Sequence, residues 1–95
     1  MFAVAFDLCV ADLQKAHPKG EKGVTQAYEE IREVLGKRGF EWIQGSVYTN
    51  EDESLTTVFL AIEDLKAIPW FPESVRDIRA FQIENWSDFT DVVKT

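Results

Sequence analysis

The chain has 95 residues, 45% of them hydrophobic, and 17 acidic against 10 basic side chains give it a formal net charge of −7. That length suits one ordinary domain, 1–95, burying roughly 60 to 65% of its unfolded surface, and the charge argues against a nonspecific nucleic-acid binder, because phosphate contacts draw on Lys and Arg. No apolar run approaches the roughly 20 residues needed to span a bilayer, and the Met1-Phe2-Ala3 start lacks a basic leader, so the expectation is a cytoplasmic protein with no membrane partner.

Residues 1 to 7 alternate apolar side chains across two faces and end in a carboxylate. Strand periodicity puts Phe2, Val4 and Phe6 on one face and Ala3, Ala5 and Asp7 on the other. The bulky face suits helices, and the small face allows close approach of a second protomer or a substrate. Asp7 stands at the rim of that approach, where a carboxylate is costly unless solvated, paired or working. Cys9 has no partner for a disulfide or a metal cage and reads as a small packed hydrophobe. The segment from Leu8 to His17 has room for a helical turn, and Pro18 to Gly23 reads as a loop.

Val24, Ala27, Tyr28, Ile31, Val34 and Leu35 recur at helical spacing, with Glu33 placed to meet Lys37 and Gly39 placed as a stop. Phe40–Ile43 and Ser46–Thr49, rich in aromatic and β-branched residues and separated by Gln44-Gly45, predict a hairpin or bulged bend. The acidic run Asn50–Glu53 reads as a solvated loop. Ser54 is placed to cap a second helix with an inward face of Leu55, Val58, Phe59, Ile62 and Leu65, ended by Pro69. Trp70-Phe71-Pro72 makes an apolar connector. Ser74 to Glu84 contains a last long strand, and Ser87 is placed to cap a tail helix carrying Phe89, Val92 and Val93.

The order β-α-β-β-α-β, with right-handed crossovers, predicts an α+β, ferredoxin-like domain: a four-stranded antiparallel sheet, two helices on one face and a short C-terminal helix. Strand one is then central and strand four lies at an edge. The open face, carrying Ala3 and Ala5, is where a homodimer is expected.

Asp7 is the leading candidate for chemistry, set against a plain role capping a turn or pairing with an arginine. Ser46 follows the glycine of the bend, where its hydroxyl can meet a phosphate or satisfy the turn. Asp77 and Arg79 share a strand face and are expected to form an ion pair. His17, the only histidine, reads as an exposed loop residue without a catalytic partner. Trp42, Trp70 and Trp86 are expected to pack rather than stack bases. No phosphate-binding loop, dinucleotide fingerprint, zinc site or serine triad is present.

Together, Ala5–Leu8, Phe40-Glu41-Trp42 with Gln44–Tyr48, Trp70-Phe71 with Ser74–Phe81, and Ser87–Thr90 resemble the virulence-associated protein D (VapD) family across essentially the whole chain. The resemblance implies a homodimeric endoribonuclease that cleaves single-stranded RNA or mRNA, is akin to the second core CRISPR-associated protein, and acts as the toxin of a toxin–antitoxin system. On matching positions it implies Asp7, Ser46 and Asp77 as catalytic residues. Two Asp7 carboxylates, one from each protomer, would flank the scissile phosphodiester and either activate the attacking oxygen or hold Mg²⁺. Arg76 and Arg79 would contact RNA phosphates. An antitoxin protein is the further partner implied. The rival reading, favoured by the acidic charge, is a noncatalytic dimeric interaction module binding a protein or nucleic acid. A metabolite-binding dimer ranks third.

Overall fold

The computed structural model describes residues 1–95. The alternating N-terminal segment forms β1 (Phe2–Leu8), followed by α1 (Val10–Ala16), a 3-10 turn over Gly20–Gly23 and α2 (Val24–Gly36). The hairpin is β2 (Glu41–Gln44) and β3 (Val47–Asn50). After it come α3 (Leu55–Lys66), the short α4 (Phe71–Ser74), β4 (Val75–Gln82) and α5 (Thr90–Lys94). The strands form one sheet in the order β2-β3-β1-β4, antiparallel at every pairing, so β1 is central and β4 is an edge. This is the ferredoxin-like arrangement expected of the element order. No helix is long and apolar enough to cross a membrane.

One core of 14 buried residues joins the sheet to its helices. Val4, Phe6 and Leu8 of β1 meet Ala27, Ile31 and Leu35 of α2 and Val58, Ala61 and Leu65 of α3. Phe6 stacks on Tyr48 and meets Phe71 edge-on. The bulky face of β1 is therefore the helix-covered one, as its two-residue period predicts. The hairpin carries a register shift between Trp42 and Gln44, and Gly45 adopts φ +47 at its tip, where a glycine costs least. α2 ends at Gly36, and Gly39 follows with φ +89 against the Asn50 side chain. Ser54 caps α3, its side chain accepting from the Thr57 amide.

Several local expectations are corrected. The stretch after β1 is a seven-residue helix rather than a single turn, and the glycines before α2 form a 3-10 turn. His17 is not an exposed loop residue: it is 5% exposed. Its Nδ1 accepts from the Lys19 amide at 3.1 Å, which leaves the proton on Nε2, 3.4 Å from Glu30 Oε2. Trp70 Nε1 donates to the same carboxylate oxygen at 2.9 Å. Cys9 is half-buried rather than fully packed. Leu55 and Phe59, assigned to the inward face of α3, are 68% and 63% exposed. The inner face instead centres on Val58, Ala61 and Leu65, so those two fall on its flank. Ser87 does not cap α5, whose N-cap is Phe89; the Asp88 carboxylate accepts from the amide and hydroxyl of Thr90, the first helical residue.

Candidate functional site

The C-terminal tip of β1 gathers the residues singled out above. Antiparallel register places Asp7 directly opposite Asp77, Ala5 opposite Arg79 and Ala3 opposite Phe81. All six side chains therefore share the face of the sheet not covered by α2 and α3. On the other side of β1 the Phe6 amide donates to the Ser46 carbonyl at 3.2 Å, which fixes the hairpin tip beside Asp7. Residues 39 and 70 positions from Asp7 in sequence thus flank it on both sides. Ser46 is half-buried at the turn.

The charges at this tip are paired but wet. Arg79 Nε lies 3.1 Å from Asp77 Oδ2, the ion pair expected from their shared face. Arg76 Nη1 lies 3.5 Å from Asp7 Oδ2, a partner that the local pattern did not assign. Asp7 and Asp77 side chains are 60% and 50% exposed. Such pairs are weakly held in water, and a phosphate group can exchange for either carboxylate on its arginine. The register shift between Asp7 and Leu8 lies at this end of the β1–β4 pair, where bulges commonly re-aim side chains.

The carboxylates of Asp7 and Asp77 offer the hard oxygen donors that suit Mg²⁺. No cluster of three or more His, Cys, Asp or Glu stands close enough within the protomer to hold a metal. A cation bound here would therefore rest on these two acids, with water, substrate or a second protomer completing its shell.

Two groupings escaped the sequence-based reading. His17, Glu30 and Trp70 form a structural cluster away from the β1 tip, tying the end of α1 to α2 and to the residue before α4. Arg32 lies over the Trp42 ring at 4.9 Å from its centroid. The four-residue spacing of Tyr28 and Arg32 was the available signal for the second, since it puts both on one stripe of α2.

Comparison with known proteins agrees with this fold. The family model described as CRISPR associated protein Cas2 matches residues 1–91. The chain is 57% identical over 95 residues to an endoribonuclease VapD homolog of Neisseria gonorrhoeae, spanning 100% of both chains. It is 52% identical over 94 residues to endoribonuclease VapD of Haemophilus influenzae, spanning 99% of each. It is 48% identical over 97 residues to endoribonuclease VapD of Helicobacter pylori, spanning 100% of each. With relatives matched from end to end and a family model covering nearly all of its sheet and helices, the chain belongs to the VapD endoribonuclease family, built on a Cas2-type domain.

Proposed function

We propose that this protein is an endoribonuclease that cleaves single-stranded RNA as a homodimer, working in the cytosol as the toxin of a toxin–antitoxin pair. The observation that carries the reading is the placement of Asp7 at an exposed strand tip, between Ser46 and Asp77 and beside Arg76, in a chain matched along its whole length to proteins named endoribonucleases.

Asp7 of each protomer acts on the scissile phosphodiester. As a general base its carboxylate takes the proton from the attacking 2′-hydroxyl or water. The new P–O bond forms as the P–O5′ bond breaks, and the leaving 5′ oxygen takes its proton from the Asp7 carboxyl just protonated or from water. As ligands, Asp7 and Asp77 would instead hold Mg²⁺, which would supply Lewis-acid neutralisation of phosphate charge. The Ser46 hydroxyl positions a phosphate oxygen, and Arg76 and Arg79 balance phosphate charge as they leave their carboxylates.

The dimer is supported by the face of the sheet opposite α2 and α3. Its centre is low, with Ala3 fully buried and Ala5 half-buried. Phe81, Trp86, Phe89, Val92 and Val93 are exposed on β4 and the C-terminal tail, and Trp86, Phe89 and Val93 line a cleft with Ile43 of β2. Exposed apolar surface of this kind marks an interaction site.

Cleavage of a defined, end-labelled RNA by the wild-type protein and by Asp7→Asn, each with Mg²⁺ and with chelator, tests the reading. Loss of cutting in Asp7→Asn with an unchanged fold is the expected result, and equal cutting by both proteins would overturn it. Chelator sensitivity assigns Asp7 to the metal, and insensitivity assigns it to proton transfer.

A further inference from the structure

A cleft of about 450 Å³ opens between α2 and the β2–β3 hairpin, lined by Tyr28, Glu29, Arg32, Trp42, Gly45 and Tyr48 among others. We propose that this cleft is a subsite for one unpaired nucleobase of the RNA, stacked on Trp42 beside Arg32 and held at its polar edge by Glu29. The inference rests on the ribonuclease reading above for its ligand, but its geometry is independent of Asp7.

Trp42 is 47% exposed although it lines the cleft. Its ring is pinned, because Nε1 donates to the Gly45 carbonyl at 2.9 Å. A fixed, half-open indole presents a stacking surface with little side-chain entropy left to lose. Of the four arginines in the chain, Arg38, Arg76 and Arg79 each meet a carboxylate, whereas Arg32 lies over this ring. Aromatic rings and guanidinium planes are the two surfaces on which proteins stack single-stranded bases.

The charge of the cleft selects among ligands. One cation, Arg32, and one carboxylate, Glu29, leave it with no net charge. A phosphate would meet Glu29 as a like charge, whereas a base offers an uncharged ring to the aromatics and N–H groups to an acceptor-only carboxylate. Burial pushes the Tyr48 hydroxyl up from its ordinary value, against an opposing effect of Arg32, so it remains protonated at neutral pH.

The cleft is also placed to serve the β1 tip. Gly45 lines it, the next residue Ser46 accepts the Phe6 amide at 3.2 Å, and Asp7 follows Phe6. Cleft and acid therefore lie at the same end of the sheet, on its two faces, with the hairpin tip between them. RNA bent around that tip places a nucleotide flanking the cut in the cleft.

Anisotropy of a 3′-labelled oligoribonucleotide with one cut site, read with full-length protein in chelator, tests the subsite. The comparison is wild type against Trp42→Leu, Trp42→Phe and Glu29→Gln, each confirmed folded by thermal melting. Trp42→Leu is expected to weaken binding by at least about 5-fold, with Trp42→Phe keeping most of the affinity because it retains a ring. An oligonucleotide made abasic at one position flanking the cut should bind wild type more weakly and Trp42→Leu no more weakly than the intact strand does. Unchanged binding by Trp42→Leu and Glu29→Gln, equal abasic effects on wild type and Trp42→Leu, or no RNA binding at all would overturn the proposal. If base-dependent binding persists while no RNA is cut, the catalytic reading falls and the subsite stands. If cutting depends on Asp7 while the abasic series is flat, the reverse holds.

Discussion

Asp7 and Asp77 stand directly opposite one another across the β1–β4 pair, two carboxylates on the same face of the sheet. Cross-strand partners have Cβ atoms roughly 4.5 to 5.5 Å apart, and like charges so placed destabilise a sheet. Here Arg76 takes Asp7 at 3.5 Å and Arg79 takes Asp77 at 3.1 Å, and water reaches both pairs. The tip thus holds concentrated, exchangeable charge at small cost to the fold. Asp77→Asn should lower cleavage of end-labelled RNA by at least about 10-fold. Its thermal midpoint should move by less than about 4 °C, since the lost exposed ion pair is offset by relief of the repulsion.

Arg76 and Arg79 are expected to act on RNA through charge. Replacing either by Gln should raise KM for RNA and reduce the slope of log affinity against log salt by about 1. A titration of labelled RNA at several salt concentrations reads both, and an unchanged slope would assign the arginines to their carboxylates alone.

His17 fits its place only because residue 23 has no side chain. A Cβ at Gly23 would lie 2.1 Å from His17 Nδ1. Gly23→Ala should therefore cost about 1 to 3 kcal/mol of stability in urea unfolding. In a His17→Ala background, itself less stable because the ring that meets Glu30 and Trp70 is gone, the same Gly23→Ala change should cost much less, because the clash is removed. Additive losses would show that the strain lies elsewhere.

Acid should weaken the fold partly through Asp64. Arg38 holds it in a two-pronged pair, Nε to Oδ2 at 2.7 Å and Nη2 to Oδ1 at 3.2 Å. The hydrogen bond from Arg38, with its charge, keeps the Asp64 carboxyl below the usual carboxylate range. The N-terminal ammonium does the same for Glu53, again mainly by hydrogen bonding. A carboxylate lowered on folding adds stability above its unfolded pKa and loses it as pH falls through the folded value. Between about pH 6 and about pH 3 the thermal midpoint should fall. Asp64→Asn should flatten that fall, being less stable than wild type at the upper end, with the difference narrowing toward the lower.

The hydrophobic periods of this chain are strong enough to place most of its elements. Alternation over Phe2–Asp7, the Val24–Leu35 stripe and the Ser54 cap all depend on neighbours within four residues, and each appears where that spacing puts it. The sheet order followed, because two crossovers joined through a hairpin leave few arrangements. The exposed placement of Asp7 was legible for the same local reason: a charged residue closing an apolar strand stands at its tip.

Leu55 and Phe59 show where such reasoning stops. Apolar spacing marks a stripe on α3, but the width of sheet beneath the helix decides how much of the stripe is covered, and that width is set by β1 and β4. The partner of Asp7, the burial of His17 against Glu30 and Trp70, and the meeting of Arg32 with Trp42 join residues from different elements. Periodicity reports which face a side chain takes along its own strand or helix. Register between strands and the packing of helices on the sheet then determine what that face meets, and at the β1 tip they bring two acids, two arginines and a serine together from two strands and a turn.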